Sequence, residues 1–411
     1  MCRRPAGAAL APLVGALLLL PYRLTGLKIA DNDHFVDAEE TPDDGEVLQA
    51  LPSVTNDGTL EPDPTDREAC MRGRLLSTGK RYADHPDRLA SLRENCGPCF
   101  MNQHDAPVLF IKESNEGMGS RVQELLTAMA VAHRNGMNFG GMVSRGVCHK
   151  AHGASVVRAA RALLKLPHGN DIFTEEPPIF HAVYRGVQNL EENFARGSFR
   201  GPDFQSGANV LVQLRCISCE LDGPEWNHSE YQQYWNPPFM KALRESAVGL
   251  YSQPLVYSSN VPAVAVHVRR GDVSQNDTRR HTPDSWYFKL VSRIRKTMPD
   301  ADVHVFSSLE GKHEDSEFDE YRKRGMTVHL DETDIAKPWA QLARADVLVM
   351  AKSSFSHVPA LLSNGCVLYE EYWHRPMQNW VVVNPGEHGQ PSYDDAKLEE
   401  CLQKVLVLYD F

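Results

Sequence analysis

The sequence predicts an α/β fold: two doubly wound domains in series, facing each other across a cleft, behind an N-terminal apolar segment and a stem. Three observations carry this. Short apolar runs alternate with amphipathic helical stretches from residue 107 to about residue 370, the spacing of parallel strands joined by crossover helices. The first run ends in a glycine-bearing turn that opens a helix, the starting unit of a doubly wound domain. A chain of 411 residues also has the length for two domains of ordinary size.

At the start, "MCRRPAGAALAPLVGALLLLPYRL" sets Arg3 and Arg4 before an apolar run from Ala6 to Pro21. That charge pattern reads as a signal anchor within residues 1–28, N-terminus cytosolic, or alternatively as a cleaved signal peptide. Either sends the body of the chain into the secretory lumen, at a Golgi or ER membrane if the anchor is kept. Residues 29–106 contain "DNDHFVDAEETPDDGE" and "LEPDPTDRE", acidic and turn-rich without sustained apolar periodicity, and read as a stem or linker.

The first domain is expected over residues 107–255. "PVLFIKE" reads as a strand, "SNEGMGS" as a turn and "RVQELLTAMAVAHRNG" as an amphipathic helix. "ASVVRAARALLKLP" adds a helix, "ANVLVQL" a strand, and "PPFMKALRESAVGLYS" the helix before the second domain. The second domain is expected over 256–411, opening on the strand "VPAVAVHV". Then come the helix 282–299, the strand 302–308, a helical "GKHEDSEFDEYRKRG", and the strand 326–330. The helix "DIAKPWAQLARA", the strand 346–351, the helix "SFSHVPALLSNG" and the strand "CVLYEE" complete the series. A cleft between two such domains is the default ligand site.

A net charge of −11 argues against a nucleic-acid binder but leaves room for a local basic pocket. Beyond Cys2 there are eight cysteines, an even set that permits disulfides in a lumenal chain. "CGPC" (96–99) and "CISC" (216–219) invite zinc or redox readings, but the pairs lie on unrelated segments, and structural disulfides are the expected outcome. Sequons at Asn227 and Asn276 suit lumenal exposure; a glycan at Asn276, four residues past Asp272, would obstruct that site, so it is expected to be unused.

Chemistry concentrates where strands end. Alternation puts Ala265, His267 and Arg269 on one face of their strand, Val264, Val266 and Val268 on the other. Open α/β sheets bind ligands at carboxyl strand ends. The planar fork of an arginine there suits a diphosphate. Arg270 faces oppositely, Gly271 allows a tight turn, and Asp272 can brace an arginine, a structural Arg270–Asp272 pair being the alternative. After the strand 346–351, Ser353, Ser354, Phe355 and Ser356 open a helix whose first turn can hold an anion or simply be capped. In "NEGMGSR", Gly117 and Gly119 would let the backbone approach a ligand across the cleft, with Arg121 reaching it, though a plain turn serves equally. "CELDGPEWNHSEYQQYWNPP" (219–238) reads as a sugar-stacking surface or as a loop with packed aromatics.

"HVRRGD" at 267–272 resembles the His-x-Arg-x-Gly-Asp signature of the fucosyltransferase superfamily, which covers α1,2-, α1,6- and protein O-fucosyltransferases. "EGMGSRVQELLTAMAVA" resembles its N-terminal glycine turn and helix, with Ser120 where asparagine is usual, and "LARADVLVMAKSSFSHVPALLSNG" its C-terminal nucleotide segment. The resemblance covers roughly residues 107–370. It implies a GT-B-like fold of two Rossmann-like domains, GDP-fucose as donor, a glycan or glycoprotein acceptor, and metal-independent transfer with inversion, without cofactor. It implies that Arg269 and His267 hold the donor diphosphate, with Arg270 and Ser353–Ser356 nearby, and that Asp346 meets the nucleotide, Asp331 and Asp334 competing for that role. Inversion needs a base for the acceptor hydroxyl. Glu116 is favoured, with Asp272 or Asp277 as alternatives. Two competing readings are a transferase for another nucleotide sugar, whose metal would need an Asp-x-Asp after a strand whereas "DAD" (300–302) precedes one and reads as a helix-to-strand loop, and an inactive glycan-binding protein with the same fold.

Overall fold

The structure is a computed structural model that describes residues 106–112, 117–143, 173–174, 182–195, 209–212, 216–224, 226–310, 312–386 and 390–409. The expected anchor, the stem, "CGPC", the helix at 154–167 and Glu116 lie outside the described residues.

Two sheets carry the chain. The first is built from β1 (Val108–Lys112), β2 (Asn138–Val143), β3 (Phe173–Thr174), β4 (Ala182–Tyr184) and β5 (Asn209–Val212). Its order is β3-β2-β1-β5-β4 and every pairing is parallel. Helix α1 (Met118–Arg134) follows β1, α2 (Val187–Ala195) follows β4, and α3 (Ile217–Asp222) follows β5. Then come α4 (His228–Tyr234), α5 (Pro237–Ser246) and α6 (Val248–Ser252). The stretch expected as one helix before the second domain is thus split at Ala247, and the expected 219–238 loop carries helices α3 and α4. Asn227 and Asn236 accept hydrogen bonds from the amides of Glu230 and Phe239, which starts α4 and α5 where they begin.

The second sheet contains β6 (Ala263–His267), β7 (Asp302–Ser307), β8 (Thr327–Leu330), β9 (Val347–Val349), β10 (Cys366–Glu370), β11 (Val381–Pro385) and β12 (Pro391–Tyr393). Its order is β12-β11-β10-β9-β6-β7-β8, parallel except for the edge pair β11–β12. The crossovers are α7 (Asp284–Thr297), a 3₁₀ turn with α8 (Asp319–Lys323), α9 (Ala336–Arg344) and α10 (Ser354–Leu362), and α11 (Asp395–Leu406) closes the chain.

All five side chains of β6 are buried because the sheet is covered on both faces. Ala265 joins an apolar cluster with Leu109, Val210, Trp339 and Leu348, so that cluster runs from the first sheet to one face of the second. Val264, Val266 and Val268 join Trp286, Leu290 and Leu398 under α7 and α11 on the other face. The alternation expected along β6 is therefore present, and each buried aliphatic side chain contributes about 1.5–3 kcal/mol.

In the second sheet strand order reverses between β6 and β9: β6 leads to β7 and β8 on one side, β9 to β10, β11 and β12 on the other. Loops leaving two adjacent strands in opposite directions open a crevice there.

Candidate functional site

At the reversal point of the second sheet β6 runs into Val268, Arg269, Arg270, Gly271 and Asp272. Gly271 has φ +48°, a left-handed conformation that suits glycine, and its N–H donates to the Ser308 carbonyl at 2.8 Å. This turn aims the two arginines apart. Arg269 donates through Nε and Nη2 to the two Asp272 oxygens at 3.2 and 2.7 Å, and through Nη1 to the Lys352 carbonyl at 3.1 Å. It thereby ties the end of β6 to the end of β9. Lys352 itself pairs with buried Glu370 at 3.1 Å. Arg280 lies 3.8 Å from Asp272. The rim thus carries three cations, each paired with a carboxylate, and Arg269, with 19 % of its side chain exposed, faces solvent there.

Asp272 is a poor general base in this setting. Burial raises its pKa, but Arg269's hydrogen bond and charge and the charge of Arg280 outweigh that and hold the carboxyl below its ordinary range. Its role is to brace Arg269. Asp277, the other alternative base, instead accepts from the Arg280 amide at 3.2 Å. Arg270 is not at the rim. Its buried guanidinium pairs with Asp284 and donates to the Thr282 carbonyl at 3.3 Å, while Tyr321 donates to Asp284 at 2.6 Å. The alternation that exposes Arg269 turns Arg270 into the core, so it is a structural ion pair, with Asp284 rather than Asp272.

His267 is on the Arg269 face, as expected, but buried, its ring against Phe355 with centroids 5.3 Å apart. Burial, then the Arg269 charge, hold its pKa down to about 3, so the imidazole is neutral.

The first turn of α10 departs from the expected open anion site. Ser353 accepts from the Phe355 amide at 3.2 Å, a helix cap. Ser356 is fully buried and donates back to the Ala351 and Ser353 carbonyls. Ser354 is buried as well and meets Ser120 of α1 at 3.2 Å. The reason is Gly119: a Cβ there would stand 2.5 Å from the Phe355 amide nitrogen, so only glycine lets α1 seat on α10. Gly119 therefore approaches protein backbone rather than a ligand. Gly117 is exposed with open space around it, and Arg121, on α1, is buried at 1 % exposure rather than open to solvent.

Asp346 lies at the wrong end of the sheet for a nucleotide. It precedes β9, and its Oδ2 accepts from the Ala263 amide at 2.8 Å and the Tyr409 hydroxyl at 2.7 Å, both at the amino ends of the strands. Asp331 follows β8 at the carboxyl ends and accepts from the Leu309 amide at 2.7 Å and the Ser308 hydroxyl at 3.0 Å. Asp334 accepts from the Ala336 amide at 3.1 Å. In the "DAD" segment, Asp302 opens β7, again at the amino ends, and pairs with His304 at 3.0 Å.

Sequence reasoning missed a buried chain of polar groups. Ser354 Oγ lies 2.9 Å from His374 Nε2, and His374 Nδ1 lies 2.6 Å from Asp222 Oδ2. The Arg375 amide also donates to Asp222 at 2.9 Å. These residues come from α3, the segment after β10 and α10, and no local motif marks them. Trp373, exposed beside them, donates to His374 at 3.0 Å. The aromatics expected to stack on sugar in 219–238 are packed instead: Tyr231, Tyr234 and Trp235 are buried.

No protein-family model matches the chain, and no curated protein matches it. Among solved structures, crystal structures of POFUT1 in complex with GDP and with GDP-fucose are similar to it, with TM-scores of 0.31 and 0.34 and identities of 12% and 13%. Each covers 64% of this chain and 97% of the other.

Proposed function

We propose that the protein is an inverting, metal-independent glycosyltransferase that moves fucose from GDP-fucose to a glycan or glycoprotein hydroxyl. The observation that carries this reading is the Arg269 guanidinium. It sits at the carboxyl end of β6, braced by Asp272 and by the Lys352 carbonyl, and those three bonds use three of its five N–H groups. The remaining two point from a fixed fork, the geometry that accepts a phosphate bidentately. As the bond to the sugar breaks, negative charge develops on the departing diphosphate, and a preorganised arginine stabilises it without rearrangement. The motif in "HVRRGD" supports the choice of donor, Glu116 is the favoured base, and Trp373 offers a stacking face for an acceptor sugar. Residence in the Golgi or ER lumen, held by the apolar run from Ala6 to Pro21, belongs to the same proposal.

The test is GDP binding by calorimetry and GDP-fucose turnover by the full chain in EDTA, beside Arg269→Ala. Binding and turnover in EDTA that both fall about 100-fold or more in the variant support the reading. Absence of GDP binding in the wild-type chain sinks it.

One observation favours a second reading, a glycan-binding protein with the same fold: α1 covers the first turn of α10 and engages the Ser354 hydroxyl. Glycan binding without any GDP binding is the outcome that selects it.

A further inference from the structure

The carboxyl end of β5, the neighbour of β1 in the first sheet, is also furnished. The chain beyond β5 enters Cys216-Ile-Ser-Cys219, and the two sulfurs are joined. Cys219 is exposed and Cys216 partly so. From α1, the buried Glu124 carboxyl reaches this turn: it accepts from the Ile217 amide at 2.6 Å, from the Ser218 amide at 3.2 Å and from the Ser218 hydroxyl. Its Oε1 stands 3.2 Å from Cys216 Sγ. A disulfide sulfur has no hydrogen to donate, so this approach is attractive only when the carboxyl carries the proton. Burial pushes Glu124 up to about 7, against the opposing hydrogen bonds of Ser218 and Ile217.

The second disulfide is of another kind. Cys366–Cys401 joins β10 to α11 across 35 residues, with Cys366 buried. A crosslink constrains the unfolded chain more as its loop lengthens. The Cys216–Cys219 bond closes a separation of only 3 residues, a poor staple, yet it is solvent-facing and backed by a proton carrier.

We propose that Cys216–Cys219 is a thiol–disulfide exchange site for dithiol partners, with Glu124 as the proton donor to Cys216. A partner thiolate attacks the exposed Cys219 Sγ. The S–S bond breaks, its electron pair leaves on Cys216 Sγ, and that sulfur takes the proton from Glu124 Oε1. The partner's second thiolate attacks the mixed disulfide, and Cys219 leaves with the second electron pair. Two electrons have passed from dithiol to disulfide, and the partner is oxidised. The activity is independent of the transferase reading.

Among the described residues, the charged groups around Glu124 are few. Asp222, at the far end of α3, raises it and is itself held by His374 and the Arg375 amide. Glu220 turns toward α2, accepting from the Val187 and Gln188 amides. Arg121 lies one turn earlier on α1, and on α4 Glu230 is engaged in its own helix cap.

The full folded chain is exposed to reduced and oxidised dithiothreitol, quenched by alkylation and read by peptide mass. Cys216–Cys219 is expected to equilibrate under native conditions while Cys366–Cys401 stays oxidised. The reduction rate per attacking thiolate is expected to fall as pH rises through about 7, where Glu124 gives up its proton. Glu124→Gln is expected to slow reduction about tenfold at pH 6 and to flatten that profile. Reduction of Cys216–Cys219 only under denaturing conditions overturns the proposal. A wild-type profile that is flat per thiolate, or an unchanged rate in Glu124→Gln, overturns the role of Glu124. Should that variant not fold, the wild-type profile decides alone.

Discussion

In each sheet chemistry gathers where two neighbouring parallel strands end, β1 and β5 in the first and β6 and β9 in the second, and the two crevices hold opposite chemistries. At the second, strands end in cations: Arg269 is braced by Asp272 and Lys352 pairs with Glu370. At the first, they end in a pair of sulfurs backed by the Glu124 carboxyl. Topology brings together whatever follows two adjacent strands, and burial then decides which form each group takes. Arg269 keeps an outlet to solvent and a paired carboxylate, so its charge is sustained. Glu124 is sealed under α3, so its neutral form is favoured.

The largest expected effect sharpens that contrast. Glu124 titrates at an ordinary 4.5 when the chain is unfolded and at about 7 when folded. Below the lower value both states hold the proton and the native state keeps its full advantage. Between the two the folded state binds more protons, so stability falls as pH rises and the loss is complete above about 7. A shift of this size corresponds to about 3 kcal/mol. Glu124→Gln should remove that part of the pH dependence, seen as a urea midpoint that falls less than the wild type's between about pH 4 and 8. Parallel curves for the two proteins would mean the carboxyl is not held neutral.

The helices leaving the two crevices, α1 and α10, touch at Gly119. A methyl group there would stand 2.5–2.7 Å from backbone atoms of Ser354 and Phe355, which no side-chain rotation relieves. Gly119→Ala should cost about 2 kcal/mol, the usual range for forced overpacking, measured by denaturant unfolding. An unchanged stability would mean that α1 and α10 separate easily, leaving the first turn of α10 open to an anion as the sequence suggested.

How much of this was legible depends on the distance over which each feature is encoded. The strands β6 and β9 were readable because a sheet covered on both faces demands unbroken apolar runs, β7 because Val303 and Val305 alternate with polar residues, and two-residue alternation assigned His267 and Arg269 to one face. Helices α3 and α4 were not, since Gly223 and Pro224 interrupt a polar, aromatic stretch and hide its periodicity. Strands β11 and β12 and helix α11 were left without assignment, β12 being a short antiparallel edge. Within the site, Arg269 and its brace lie three residues apart and were found. The Asp222–His374–Ser354 chain joins residues separated by 152 and 20 positions, and nothing local signals it.

A smaller effect tests whether the second crevice needs a fork or only a charge. Arg269→Lys keeps the charge but cannot donate to both Asp272 oxygens and to Lys352 from one plane. GDP affinity should fall about tenfold, roughly the value of one charge-assisted hydrogen bond, with little change in stability. Full affinity in this variant would reduce Arg269 to a general contributor to the local field.

The smallest effect concerns the end of the sheet where no ligand is expected. Asp346 looks like a site residue when the segment is read as a motif, yet it precedes its strand, and in a parallel sheet that puts it at the amino ends. Its carboxylate caps the amino end of β6 through the Ala263 amide and anchors the C-terminal segment through Tyr409. Asp346→Ala leaves both donors without their partner and should cost about 1 kcal/mol of stability. GDP affinity should not change, because the cationic rim lies a full strand length away at the carboxyl ends. A loss of GDP binding that exceeds the loss of stability would place the nucleotide at the amino ends and invert the assignment of crevices on which the comparison rests.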